Sequence, residues 1–197
     1  NDWFGARRVL VLSASSKTAI GFAHCADARA GIEVIGVTSP RNHAFTHALG
    51  CYDEVVAYDD VAAIPRGTPI VSIDMAGSGP VLASVHSHFG DQLRHSMAIG
   101  RSHHEAPARV PGMPGPKPEF FFVPDYASAR MKADATLGAA MLADLKSFCA
   151  ASRAFVTARR LVGTEEILKA WARLAAGETP PREGLVLHAE REVSHPS

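Results

Sequence analysis

VLVLSASSKTAIG, residues 9–21, is the stretch that decides the fold. Its four leading aliphatic residues are typical of a strand buried on both faces of a parallel sheet. Residues 18–30 follow with helical character. A buried strand followed at once by a helix directs backbone N–H groups into the crevice at the carboxyl edge of the sheet, where anions bind. The stretch therefore predicts either a phosphate-binding turn or a strand-to-helix corner with polar caps.

The alternation of strands and helices continues along the chain. The pattern predicts further strands at residues 32–38, 54–57, 70–74 and 96–99, and helices at residues 42–49 and 80–89. Parallel strands joined by right-handed helical crossovers form doubly wound folds. We therefore expect a single α/β domain over residues 1–197, with a Rossmann-like doubly wound parallel sheet of about six strands and helices on both faces.

The second half of the sequence is less regular. Residues 101–118, RSHHEAPARVPGMPGPKP, contain five prolines and indicate a loop. An apolar patch follows at residues 120–123. Helices are predicted at residues 133–156 and 164–176, and a last strand at residues 184–188.

The composition excludes several classes of partner. Lys plus Arg and Asp plus Glu both number 20, so no net charge attracts nucleic acid or an anionic membrane. The three cysteines form no CxxC pair, which favours a reducing compartment over disulfides or a cysteine zinc site. No run of 18 apolar residues and no signal-peptide pattern is present. We therefore expect a cytoplasmic protein with neither nucleic acid nor membrane as a partner.

The turn after the first strand carries small and polar side chains. Small residues allow a pyrophosphate to approach the backbone, Lys17 adds a positive charge, and Thr18 adds a hydroxyl. Neither GxGxxG nor the Walker A pattern is present, because Gly21 is the only glycine of the stretch. The candidate phosphate contacts are Ser13, Ser15, Ser16, Lys17, Thr18 and Gly21.

The second predicted strand ends in Thr38 and Ser39, with Arg41 nearby. This point lies about 20 residues after the phosphate turn, where dinucleotide folds meet the adenosine ribose. An acidic residue there would accept a hydrogen bond from a free 2′-hydroxyl, whereas hydroxyls, the Asn42 amide and an arginine suit a 2′-phosphate. The pattern favours NADP(H) over NAD, unless Arg41 is only a solvated loop residue and the two hydroxyls only cap a helix.

Two further strand ends point to the same crevice. Small residues or glycines follow the fourth and fifth predicted strands, and glycine lets backbone come close to a cofactor. We expect these segments to line the ribose and nicotinamide side of the site: Asp74, Met75, Ala76, Gly77, Gly100, Arg101 and Ser102.

Other reactive residues are better explained by structural roles. His103, His104 and Glu105 form a surface loop or, alternatively, supply a general acid, and we expect no metal site because adjacent histidines point in different directions. The serine-rich turn lacks the GxSxG pattern of a hydrolase. Residues 120–122 are expected in the core, with the wall of a nicotinamide pocket as the alternative. Cys25 and Cys149 are also expected as core residues.

Several segments, in order, resemble the cofactor domain of quinone-reductase-like medium-chain dehydrogenases/reductases: VLVLSASSKTAIG, GIEVIGVTSPRN, ALGCYDEVVAYDD, IDMAGSG, MAIG and AGETPPREGLVL. With SASSKTAIG and MPGPKPEFFF, residues 113–122, the chain is similar to an uncharacterised bacterial family, DUF2855. The resemblance implies a Rossmann domain that binds NADP(H), with the pyrophosphate over Ser13 to Gly21 and the 2′-phosphate near Thr38, Ser39 and Arg41.

The resemblance also carries expectations about activity. It implies part of an NADP-dependent oxidoreductase with a small-molecule substrate, an enone, quinone or carbonyl compound, and a possible homodimer. The family's N-terminal GroES-like catalytic domain is expected outside this sequence, so the chain alone is expected to hold half of an active site. The alternatives are a non-catalytic nucleotide-binding or dimerisation module, or a site for acyl-CoA or another phosphate-containing ligand.

Overall fold

The computed structural model describes residues 2–27, 31–75, 78–100 and 112–189. The chain forms two compact units, residues 1–148 and 149–197. The single domain expected over residues 1–197 stays a prediction. Among the described residues, no helix is both long and apolar enough to cross a lipid bilayer.

The first unit is built on a six-stranded sheet in which every neighbouring pair is parallel. Its strands are β1 (Arg8–Leu12), β2 (Glu33–Thr38), β3 (Glu54–Ala57), β4 (Ile70–Asp74), β5 (Leu93–Ala98) and β6 (Glu119–Phe120). The strand order is β3-β2-β1-β4-β5-β6, so β2 and β3 lie on one side of β1 and the later strands lie on its other side. Such a switch point opens a crevice at the carboxyl edge. The predicted Rossmann-like doubly wound sheet is confirmed.

The apolar run of β1 is explained by burial on both faces of the sheet. Val9 and Val11 belong to one core cluster, with alanines of the first helix, and Leu10 and Leu12 belong to the other. All four are at most 1% exposed. A strand with side chains alternating between two buried faces needs apolar residues at every position.

Helices pack on both faces of this sheet, since buried side chains of α1 (Lys17–Asp27) belong to one core cluster and those of α3 (Gly79–Phe89) belong to the other. The other helices up to residue 152 are α2 (Pro40–His47), α4 (Val123–Ala133) and α5 (Leu137–Ser152). The buried side of α1 carries Ala19, Ala23 and Ala26, whose small side chains let the helix approach the sheet closely. Short 3₁₀ helices lie at Trp3–Gly5, Tyr58–Ala63 and Gly90–Gln92.

The helix predicted over residues 133–156 is present as α5, but its predicted bounds are wrong, because it begins at Leu137 and ends at Ser152. The Asp134 carboxylate accepts hydrogen bonds from the backbone N–H of Thr136 at 2.9 Å and from its hydroxyl at 2.6 Å. Local bonds of this kind compete with helical hydrogen bonding and separate α4 from α5. The predicted burial is also wrong for Phe120, Phe122 and Cys149, which are exposed.

The second unit contains β7 (Thr157–Val162), α6 (Thr164–Ala175) and β8 (Glu183–His188). β7 and β8 are parallel and form a two-stranded sheet. Residues 184–188 are therefore a strand, as predicted, but they pair with β7, which the sequence pattern did not reveal. The sixth strand of the large sheet is instead the short β6.

Candidate functional site

Four strand ends with predicted site residues meet at the carboxyl edge of the large sheet. The register aligns Leu12 of β1 with Val37 of β2 and with Asp74 of β4, and Asp74 with Ala98 of β5. The segments after these four strands therefore start side by side.

The turn after β1 begins with a serine in an unusual conformation. Ser13 has a φ of +60°, in the left-handed region that favours glycine. Its carbonyl accepts the N–H of Ser16 at 2.9 Å, and the next N–H, of Ala14, donates to the Val37 carbonyl at 3.0 Å. The turn is thus closed on itself and attached to the end of β2 without the glycine that the dinucleotide fingerprint has.

The turn leads into the N-terminus of α1. The Ser16 hydroxyl accepts the backbone N–H of Ala19 at 3.3 Å and caps the helix. Lys17 and Thr18 are exposed in its first turn, and partial burial lowers the pKa of Lys17. The first N–H groups of a helix have no partner inside it and favour an anion. This end of α1 fits a phosphate group.

Side chains from the segment between β2 and β4 hold the turn in place. Asn42 donates from Nδ2 to the Ser15 Oγ at 3.1 Å, and the Tyr52 hydroxyl donates to the Ala14 carbonyl at 2.8 Å. The hydroxyls of Tyr58 and Ser13 lie 3.2 Å apart. Two of the serine hydroxyls proposed as phosphate contacts, those of Ser15 and Ser16, thus accept hydrogen bonds within the protein, and an accepting hydroxyl keeps its O–H for a further acceptor such as a phosphate.

Sequence reasoning did not assign Tyr52 or Tyr58 to the site, and it placed the Asn42 amide at the 2′-phosphate rather than on the turn after β1. Tyr58 follows β3 directly, so its position at the carboxyl edge was a usable signal. Tyr52 precedes β3, and its ring instead lies on the sheet face beside Gly36, an arrangement without a sequence pattern.

The crevice beside Tyr58 is a poorly solvated environment. Burial raises the pKa of Tyr58, the hydrogen bond with Ser13 opposes this rise, and the nearby Asp74 carboxylate adds to it. Asp74 ends β4 and is 2% exposed. Electrostatic interactions are stronger in such surroundings than in water.

The end of β2 holds two hydroxyls without a hydrogen-bond partner. Thr38 Oγ1 and Ser39 Oγ are buried, and no group in the described part of the chain bonds to either. Ser39 occupies the N-cap position of α2 but makes no capping bond with its side chain. Helix capping as the alternative role of these hydroxyls is therefore wrong. Arg41 lies beside them, exposed in the first turn of α2.

The ends of β4 and β5 are packed backbone against backbone. The N–H groups of Ile99 and Gly100 both approach the Asp74 carbonyl, at 2.9 and 3.4 Å. A Cβ atom on Gly100 would collide with the carbonyl oxygen of Met75. The glycine therefore permits this close approach of the two strand ends.

The remaining predicted residues have other positions. A Cβ atom on Gly21 would lie 3.3 Å from the Phe148 ring, so this glycine makes room for α5 to pack on α1. Ala76, Gly77, Arg101 and Ser102 lie outside the described residues, as do His103, His104 and Glu105. Within the described residues, no three His, Cys, Asp or Glu side chains are grouped so as to hold a metal ion.

Comparison with known families gives one match. The family model described as "Protein of unknown function (DUF2855)" matches residues 1–180. No functionally curated protein matches the chain.

Solved structures share the fold at low sequence identity. The yhdH oxidoreductase from Salmonella enterica, in complex with NADP, has a TM-score of 0.56 and 19% identity over 90% of this chain and 53% of its own. CurA from Vibrio vulnificus, in complex with NADPH, has a TM-score of 0.61 and 15% identity over 94% and 58%. The quinone oxidoreductase from Coxiella burnetii has a TM-score of 0.52 and 16% identity over 92% and 52%. The chain spans about half the length of these proteins.

Proposed function

The chain belongs to the DUF2855 family, and on that premise we propose that its large sheet binds NADP(H) at the carboxyl edge. The domain is then the cofactor-binding part of an oxidoreductase that transfers hydride between the nicotinamide and an enone, quinone or carbonyl substrate. Structural neighbours that carry NADP or NADPH support this choice of cofactor.

The observation that carries the proposal is the pair of unpartnered hydroxyls at the end of β2. A buried hydroxyl without a partner is destabilising by about 1–3 kcal/mol, so a protein retains one where a ligand or water completes it. Thr38 Oγ1 and Ser39 Oγ lie where this fold meets the adenosine ribose, next to the exposed Arg41. Two hydroxyls and a guanidinium suit a 2′-phosphate, which a free ribose lacks.

The neighbouring strand ends would hold the rest of the cofactor. The N-terminus of α1, with Lys17 and Thr18, binds the pyrophosphate charge, and the ends of β4 and β5 line the nicotinamide side. When bound, the cofactor supplies the hydride chemistry. The protein's own contribution is to bind, orient and exclude water.

The 2′-phosphate assignment is tested by titrating NADPH and NADH while following nicotinamide fluorescence and thermal unfolding. A ligand at 100 times its Kd stabilises the folded state by about 2.7 kcal/mol. We expect NADPH to bind more tightly than NADH, and Arg41→Ala to remove the difference. Arg66→Ala is the matched control, because Arg66 is an exposed arginine that precedes β4 at the opposite edge of the sheet.

Thr38→Val adds a test with opposite signs for stability and binding. Valine keeps the shape of threonine and removes the unpartnered hydroxyl, so the free protein should gain about 1 kcal/mol of stability while NADPH affinity falls. Absence of NADPH binding by the unaltered protein would refute the proposal. Binding without turnover of enones, quinones or carbonyl compounds by the full-length gene product would favour the non-catalytic module instead.

A further inference from the structure

We propose that Tyr52 is a positioning residue for the pyrophosphate: by holding the Ala14 carbonyl, it fixes the Ala14–Ser15 peptide with its N–H directed at the bound phosphates. The inference rests on the proposed NADP(H) binding and explains how a turn without the fingerprint glycines can serve it.

The Ala14 residue is fixed at both of its backbone polar groups. Its N–H donates to the Val37 carbonyl at 3.0 Å, and its carbonyl accepts the Tyr52 hydroxyl at 2.8 Å. Ala14 itself is 0% exposed. A residue held in this way cannot rotate to turn its carbonyl outward, where it would repel a phosphate.

Peptide planarity carries the effect of Tyr52 to the next residue. In a trans peptide the C=O and the following N–H point in opposite directions, and no cis peptide is present in the described chain. Because the Ala14 carbonyl faces the Tyr52 hydroxyl, the Ser15 N–H faces away from it. The N–H groups of Ala14 and Ser16 are bonded within the protein, so in this turn the Ser15 N–H is the group that Tyr52 directs at an anion beside the N-terminus of α1.

Gly36 makes this arrangement possible. A Cβ atom at residue 36 would lie 2.9 Å from the Tyr52 ring and 3.0 Å from the Ala14 Cβ. The ring therefore lies directly over a glycine of β2, with its hydroxyl reaching the turn. In the dinucleotide fingerprint, glycines within the turn provide the space. Here Gly36, in the neighbouring strand, provides it.

A second observation at the same edge points to a ligand. Thr38 is 0% exposed, and its Oγ1 has no partner among the residues described. Thr38 directly follows Val37, whose carbonyl binds the Ala14 N–H. The residue that holds the turn and the unpartnered hydroxyl are thus neighbours in one strand.

The chain's three tyrosines allow a matched experiment with Tyr→Phe variants. Tyr52→Phe keeps the ring and removes the bond to the Ala14 carbonyl. Tyr126→Phe is the control, since Tyr126 lies in α4 and packs on Phe121. Each variant is titrated at a temperature well below its unfolding transition with NADPH and, by displacement, with adenosine 2′-phosphate, which lacks the pyrophosphate.

For Tyr52→Phe we expect the Kd of NADPH to rise about tenfold, because the hydrogen bond that fixes the turn before the ligand binds is lost. The Kd of adenosine 2′-phosphate should change by less than about twofold, since that ligand does not reach the turn. Tyr126→Phe should change neither value. Gly36→Ala, which displaces the ring rather than removing the hydroxyl, should reproduce the selective loss.

Equal affinities for NADPH in Tyr52→Phe and the unaltered protein, even with a lower melting temperature, would show Tyr52 to be purely structural and overturn the inference. An equal loss for both ligands would overturn it as well, since the effect would not be specific to the phosphates. If the unaltered protein binds adenosine 2′-phosphate and NADPH and only the selective loss is missing, the proposed function survives. If it binds neither, both fail.

Discussion

The chain leaves β1 and β5 at the same edge of the sheet in two different ways. After β1, a serine takes the left-handed conformation, and Tyr52 and Tyr58 bond to the turn. After β5, Gly100 lies against the Met75 backbone with no space for a side chain. Polar side chains thus replace glycine at the first strand end, whereas backbone packing makes glycine indispensable at the second.

The largest effect is expected at Gly100, after β5. Gly100→Ala places a Cβ atom against a backbone carbonyl, and the collision cannot be relieved by moving a flexible side chain. The free energy of unfolding should therefore fall by about 3 kcal/mol. Denaturant unfolding measures it. Gly138→Ala, in the exposed first turn of α5, is the control, since nothing lies closer than 3.9 Å to the added methyl, and its free energy of unfolding should stay within about 0.5 kcal/mol of the unaltered protein. Equal stability of Gly100→Ala and the unaltered protein would remove the contrast.

The meeting of the strand ends, with Gly100 among them, was predictable from local sequence patterns. β1 contains a continuous apolar run, β2 and β4 are largely apolar, and parallel strands finish at one edge, so Ser13, Thr38 and Asp74 could be placed together from the sequence. Gly100 follows from the same pattern, since it comes soon after a predicted strand.

The side-chain bonds that hold the turn after β1 were not predictable, because they join residues distant in sequence. Tyr52 bonds to Ala14 across 38 residues, and its position over Gly36 is decided by the tertiary packing of two strands. The left-handed φ of Ser13 also has no signal, since serine seldom adopts it. The two-residue strand β6 is too short to show a period.

An intermediate effect is expected at alkaline pH. Burial raises the pKa of Tyr52 well above its ordinary 10.0, so above that pH the unfolded chain loses a proton that the folded protein retains. Stability therefore falls as pH rises beyond about 10, by up to about 1.4 kcal/mol per pH unit for each such tyrosine. Tyr52→Phe should reduce this slope.

The measurement is denaturant unfolding across the alkaline range, with tyrosinate absorbance as the second signal. Burial also raises the pKa of Tyr58, and the lowered pKa of Lys17 gives an opposite slope, but both are common to the two proteins and cancel in the difference. Identical slopes with and without the Tyr52 hydroxyl would mean that it is accessible to solvent and does not hold the turn.

The smallest effect separates the strain of Ser13 from its bond with Tyr58. Ser13→Ala loses the bond and keeps the left-handed backbone, so it should lower the free energy of unfolding by about 1 kcal/mol. Ser13→Gly loses the same bond but relieves about 1 kcal/mol of backbone strain and should be close to the unaltered protein. At Ser15, whose φ is not positive, the order should reverse, with glycine less stable than alanine. If the alanine variant is more stable than the glycine variant at both positions, the backbone at Ser13 is not strained. The polar side chains around the turn after β1 would then not be compensating for a missing glycine.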